Sequence, residues 1–288
     1  NLAEYLFAHG YDLWLLDFRS SIELAASRTQ YTGDEIALQD YPAAVDRVLA
    51  ETGVTGLHAL VHCFGATTFV MAMLAGLKGV RSALISQIAT HIRAPLATRF
   101  KTGLHLPTVL KALGVDSLTA YTDRHSDWRE KLFDQLLRLQ PMPFEERCNS
   151  PVCHRITFLY GTLYEHERLN QATHDALHEM FGVAGIAALE HLALMVRKGQ
   201  VVTAAGEDAY LPHLERLAIP LTFIHGAENG CYNPESTALA FEALRKKNGD
   251  LYERHVVAGY GHIDCIFGAN AVADVYPLIL RHLERTGA

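Results

Sequence analysis

The sequence contains no apolar run approaching the roughly 18 residues that a membrane-spanning helix requires, so no membrane span is expected. It also lacks an excess of positive charge. Lys and Arg number 25 against 32 Asp and Glu, a formal net charge of −7. Nucleic acid and anionic membrane surfaces reward basic proteins, so neither is expected as a partner. Cysteine is scarce and odd in number, at Cys63, Cys148, Cys153, Cys231 and Cys265. Such a set disfavours a disulfide framework and favours a reducing, cytoplasmic setting. The chain does not open on a charged stub followed by an apolar run, so no secretory leader is expected. No Gly-x-Gly-x-x-Gly follows an apolar strand, so no dinucleotide or flavin, and no other cofactor, is expected. Internal repeats and low-complexity tracts are absent as well.

What is present reads as one large α/β domain of 288 residues, with 49% hydrophobic and 20% charged residues. Residues 2–9 read as the end of an amphipathic helix stopped by Gly10, and 11–18 as an apolar run of strand length. A helix over 40–52 has Pro42 in its first turn. A strand over 57–62, a strongly apolar helix over 66–76 and a strand over 81–88 follow. Near-continuous apolar strands alternating with helices predict a mostly parallel sheet covered on both faces. Residues 89–215 change character: helical patterns at 126–139, 171–181 and 184–198, with one weak strand at 155–160, suggest an inserted helical cap. Alternation resumes with strands at 219–225 and 252–257 and helices at 234–246 and 270–285. The expected division is therefore a core of 1–88 and 216–288 and a cap of 89–215.

One turn carries chemistry. Val61-His62-Cys63-Phe64-Gly65 joins a buried strand directly to a helix. A reactive side chain on such a tight turn needs small flanking residues, and the helix N-terminus beneath it favours a thiolate and a developing oxyanion. The usual pattern is Gly-x-Ser-x-Gly, which occurs nowhere in the chain; Val61 replaces the first Gly and Cys63 the Ser. The alternative is a buried structural thiol at a strand-to-helix turn. A partner base should come late in the chain, and His262 follows the last strand in Gly259-Tyr260-Gly261-His262. The acid should follow the strand 219–225, where Glu228 and Asn229 are adjacent and Asp264 is a third candidate nearer the histidine. Glu228 would stabilise imidazolium by charge, whereas Asn229 would only orient it. Asp264, two residues from His262, fits a role in shaping the loop better.

Other residues have plainer readings. Cys148 and Cys153 are close enough to pair or bind metal, but neither has a matching second half in sequence, and no metal site is expected. His174 and His178 are four apart on a helical pattern without an evident third ligand, so a solvated helix face is favoured. Phe69, Met71 and Met73 read as core. Leu104, Leu106, Leu110 and Leu113, with His105 and Pro107 among them, suit either an apolar acyl group or plain packing.

These motifs resemble a known superfamily. The run Asn1 to Arg19 looks like a segment of acid lipases and polyhydroxyalkanoate synthases, and Asp40-Tyr41-Pro42-Ala43-Ala44 also looks lipase-like. The closer resemblance is to the α/β-hydrolase region associated with cholesterol-oxidase-like (GMC) flavoproteins. It is carried by His62-Cys63-Phe64-Gly65-Ala66-Thr67-Thr68, His225-Gly226-Ala227-Glu228-Asn229 and Gly259-Tyr260-Gly261-His262-Ile263-Asp264. The resemblance implies an α/β-hydrolase fold and an ester- or thioester-handling hydrolase, with an acyl-enzyme on Cys63. It implies an oxyanion donor in the Phe64 backbone N–H, and a strand and His-Gly loop ahead of residue 1. That strand would lie between 11–18 and 57–62, so a preceding segment or a partner chain is expected to complete the sheet. Three functions remain open: hydrolysis of an ester or thioester with an apolar acyl group, acyl transfer from the same acyl-cysteine, and a non-catalytic hydrolase-like module docked to a partner oxidoreductase.

Overall fold

The computed structural model describes residues 1–22, 24–112, 114–119, 135 and 148–287. Four parallel strands form the main sheet: β1 (Leu57–His62), β2 (Val80–Ser86), β5 (Leu221–Gly226) and β6 (Tyr252–Val257), ordered β1-β2-β5-β6. β3 (Ser117–Thr119) and β4 (Val183–Gly185) form a separate antiparallel pair. In β5 every residue is buried, as a central strand covered on both faces requires.

Helices cover both faces. On one side lies α3 (Cys63–Ala75), apolar around its whole circumference and buried continuously from Gly65 to Leu74. It packs in the larger core with Ile36, Tyr41, Ile85 and Phe223. On the other side α1 (Leu2–Ala8) and α11 (Tyr276–Thr286) contribute Leu6, Tyr276, Ile279 and Leu283, which meet Leu84 and Ile224 of the sheet. The amphipathic helix α2 (Tyr41–Thr52) follows a one-turn π segment over Ile36–Asp40. Asp40 receives Arg19 through both guanidinium and backbone N–H, at 2.6–3.1 Å, which fixes the entering chain against α2.

Between β2 and β5 the described chain forms α4 (Leu96–Gly103), α5 (Leu106–Ala112), α6 (Pro151–Tyr160), α7 (Gln171–Asp175), α8 (Leu177–Met180) and α9 (Ile186–Lys198). α10 (Glu235–Asn248) then links β5 to β6. Three expectations are corrected. Residues 155–160 belong to helix α6, which starts from Pro151. Four consecutive residues, Cys153, His154, Arg155 and Ile156, are buried in it, and a short run buried on all sides has no periodicity that separates strand from helix. The expected helix 171–181 is two short helices broken at Ala176. Residues 11–18 join no ladder among the described residues, with Trp14, Leu15 and Leu16 exposed at 48%, 86% and 42%. They do not pair with β1, which is an edge of the sheet among the described residues. An apolar run becomes a strand only where another backbone lies beside it. The expected helix 126–139 and Leu113 lie outside the described residues.

Candidate active site

The elbow has the strained geometry its position suggests. β1 ends at His62, and Cys63 begins α3 with φ 54°, in the left-handed region. A non-glycine residue there costs free energy, and such strain persists only where the surroundings impose it. The surroundings here are identifiable: Tyr41 Oη donates to the Gly65 carbonyl at 2.6 Å and ties the turn to α2. Phe69, Met71 and Met73 are core residues on the helix that follows.

Cys63 is half-buried and lines a cavity of about 260 Å³. Ile22, Phe64, Leu110, Phe158, Leu192 and Val196 contribute to its mostly apolar wall. Leu104, by contrast, points to solvent. Burial pushes the Cys63 thiol up to about 11, against a smaller opposing pull from the Phe64 backbone N–H. That N–H is the expected oxyanion donor, and it addresses the sulfur.

His262 comes to the same place from the far end of the chain. Its ring is wholly buried, 4.9 Å from the ring of His62 and 5.7 Å from that of Tyr232, a cavity-lining residue. The close approach of two loops makes this possible. A Cβ on Gly226 would fall 1.9 Å from the Gly261 carbonyl oxygen, so only glycine lets the β5 loop pass the histidine turn. The turn is further held by the Leu163 carbonyl, which accepts from the backbone N–H groups of His262 (3.0 Å) and Ile263 (2.8 Å).

The three acid candidates separate clearly. Glu228 is exposed. Asp264 is buried but turned back on its own loop, accepting from Gly261 N at 2.8 Å, and burial raises its pKa. Asn229 is the one that reaches His262, with Nδ2 at 3.0 Å from Nδ1. The direction of this bond follows from groups that can only donate. Backbone N–H groups of Cys231 (2.9 Å) and Tyr232 (3.0 Å) donate to Asn229 Oδ1, and Gly226 N donates to Gln87 Oε1 at 3.0 Å. Asn229 Nδ2 therefore faces both Gln87 Oε1 and His262 Nδ1, each at 3.0 Å, and donates to both. Nδ1 accepts, so the neutral imidazole carries its proton on Nε2.

That tautomer is opposite to the one a general base needs toward a thiol. His262 Nε2 is buried without a hydrogen-bond partner, so it shares no bond with Cys63. Burial, with His62 and His225 nearby, holds the His262 pKa well below its ordinary value. His62 behaves similarly: Nδ1 lies 3.0 Å from Ser86 Oγ, Nε2 has no partner, and burial lowers its pKa to about 4. The sequence reading missed Gln87, His62, Tyr160 and Tyr232. Gln87 has φ 77° and is fully buried just after β2, positions that leave no local sequence signal. Tyr160 and Tyr232 both line the cavity, and burial raises their pKa values, with the charge of the Cys63 thiolate adding to the shift. His62 is adjacent to Cys63, so its proximity was readable.

The fold that carries this site superposes on solved structures across most of the chain. An open-form lipase superposes with a TM-score of 0.56 at 15% identity, covering 88% of this chain and 73% of that one. The Mycobacterium tuberculosis protein BpoC, assigned as a non-heme bromoperoxidase, superposes with a TM-score of 0.54 at 15% identity, covering 99% and 85%. The fold is that of the α/β hydrolases. In sequence, this α/β-hydrolase-fold chain is 24% identical over 312 aligned residues to mouse Lipase member K, spanning 99% of this chain and 74% of the relative. No protein-family model matches it. Among the described residues, no helix is long and apolar enough to cross a membrane.

Proposed function

We propose that the chain is a hydrolase of carboxylic esters or thioesters that passes the acyl group through Cys63. The observation that carries this reading is the strained Cys63, held at φ 54° at the head of α3 and open to the apolar cavity. Strain at a residue type that gains nothing from it in packing is characteristic of a site kept for chemistry.

In the reaction the Cys63 sulfur bonds to the carbonyl carbon and the bond to the alcohol or thiol breaks. The thiol proton ends on the leaving group. The Phe64 N–H supports the oxyanion, and His262 keeps its Nε2 proton throughout, adding at most a hydrogen bond toward the developing negative charge. Water then adds to the thioester, releasing the carboxylic acid and restoring the thiol. The apolar wall suits an apolar acyl group, and transfer to an added alcohol or thiol is the same chemistry with another acceptor.

Mixing the chain with a p-nitrophenyl ester and measuring intact mass tests the proposal: an acyl adduct on Cys63 is expected. A second reading, a non-catalytic module docked to a partner oxidoreductase, is favoured by the tautomer of His262 and by the raised pKa of the thiol. It predicts no adduct, and identical turnover in Cys63→Ala and wild type.

A further inference from the structure

The region between β2 and β5 carries a second group of thiols and imidazoles, unrelated to the elbow. Cys148 precedes α6, Cys153 lies in its first turn, His166 opens a short helical turn and His174 lies on α7. One ligand atom of each falls within 4.8 Å of all the others. Cys153 Sγ is 3.3 Å from His174 Nε2, and the rings of His166 and His174 are 5.5 Å apart. Neither cysteine is in a disulfide. His178, the residue paired with His174 in sequence, is exposed and outside the group.

We propose that Cys148, Cys153, His166 and His174 form a tetrahedral zinc site. Zinc with bonds of about 2.3 Å to sulfur and about 2.0 Å to nitrogen sets ligand atoms roughly 3.3–3.8 Å apart. No ligand-to-ligand separation therefore needs to shorten by more than about 1.5 Å to close on the ion. Two thiolates and two imidazoles are soft and borderline donors that suit zinc and reject magnesium or calcium. Four protein ligands leave no open position, which makes the site structural and not catalytic. A thiol still protonated when zinc arrives releases its proton to solvent. His154 Nε2 donates to the Cys148 carbonyl at 2.9 Å and steadies the loop that bears this ligand.

The site has a consequence for the elbow. His166 belongs to the segment whose Leu163 carbonyl holds the His262 turn, and Arg168 of that segment lies 4.7 Å over the Tyr260 ring. Its carbonyl also accepts from Ala269 N at 2.7 Å. Zinc would join this segment to α6 and α7, so the metal stiffens the support of the histidine turn.

Elemental analysis of the reduced, purified chain after reconstitution with zinc and exhaustive dialysis should give about one zinc per chain. Replacement by cobalt should give sulfur-to-metal charge transfer and the intense visible bands of a tetrahedral ion. Cys148→Ser/Cys153→Ser and His174→Gln should lose both signals, while His178→Gln keeps them. Chelation should lower the Tm by about 5–10 °C. Because these readouts do not require turnover, they hold even if Cys63 proves inert. Zinc below about 0.2 per chain would overturn the site, as would metal retained by the double cysteine variant. So would a mass two hydrogens light from a Cys148–Cys153 disulfide in freshly purified protein.

Discussion

Cys63 and Cys153 share a side chain and differ in almost everything around it. Cys63 sits at a strained turn facing an apolar cavity, and burial pushes its thiol up to about 11. Cys153 sits among Cys148, His166, Tyr164 and Ser150, which pull its thiol down to about 3. A helix N-terminus is common to both, since Cys63 opens α3 and Cys153 lies in the first turn of α6. The end of a helix alone therefore does not decide thiolate formation; the groups that can donate to the sulfur do. The elbow has the backbone of a nucleophile without the electrostatics of one, whereas the second cluster has the electrostatics without the backbone strain.

The largest expected effect removes one side of this contrast. Cys63→Ala should lower p-nitrophenyl ester turnover by about 10³-fold or more. Cys153→Ala should leave the chemical step nearly unchanged at a temperature where both variants stay folded. Loss of turnover in both would mean that the second cluster governs the elbow, through the segment whose Leu163 carbonyl holds the His262 turn.

The next change would make the elbow more like an activated site. Asn229→Asp keeps acceptance from the Cys231 and Tyr232 N–H groups but can no longer donate to His262 Nδ1. The imidazole proton should move to Nδ1, freeing Nε2 as a base, and acylation should rise about 10- to 100-fold. Gln87 Oε1 would lose one donor, which should cost about 1–3 kcal/mol of stability, read from denaturant unfolding. A slower Asn229→Asp enzyme would show that the donor orientation is needed.

Alkylation reports the raised Cys63 pKa more gently. The thiolate fraction of a group near 11 grows about tenfold per pH unit below that value, so the rate of iodoacetamide labelling at Cys63 should climb steadily from pH 7 to 10. A plateau by pH 8 would mean an unseen base lowers the thiol.

Parts of both candidate sites were legible in the sequence, for different reasons. Cys63, His262 and the loop after β5 were readable because strand, turn and helix patterns are local and their order along the chain is fixed by the fold. The choice among Glu228, Asn229 and Asp264 was not, because side-chain direction in that loop depends on Gly226 passing within contact of the Gly261 carbonyl. The second cluster was visible only in halves, Cys148 with Cys153 and His174 with His178. Folding of α6 against α7 selects His174, rejects His178 and adds His166, which no spacing rule marks. Residues 11–18 show the reverse failure: the pattern is that of a strand, but pattern does not supply a neighbour.

The smallest effect expected concerns stability around the elbow, where histidines are buried neutral and not paired with charge. Burial lowers His62, His225 and His282 to about 4 each, and His262 also falls below its ordinary value. In the unfolded chain each returns to about 6.5. Between about pH 4 and 6.5 the unfolded state thus binds more protons, and stability present above 6.5 is lost as pH falls. Each histidine should contribute up to about 1.4 kcal/mol per pH unit in that window. His282 tests this without touching the elbow, since its ring lies beneath the sheet between Ser82 Oγ (3.0 Å) and Thr222 Oγ1 (2.8 Å). His282→Gln retains polar contacts but cannot be protonated, so the plot of unfolding free energy against pH should flatten by about one proton's worth. An unchanged slope in His282→Gln would mean that His282 is already charged in the folded protein, in conflict with its burial beside Arg285.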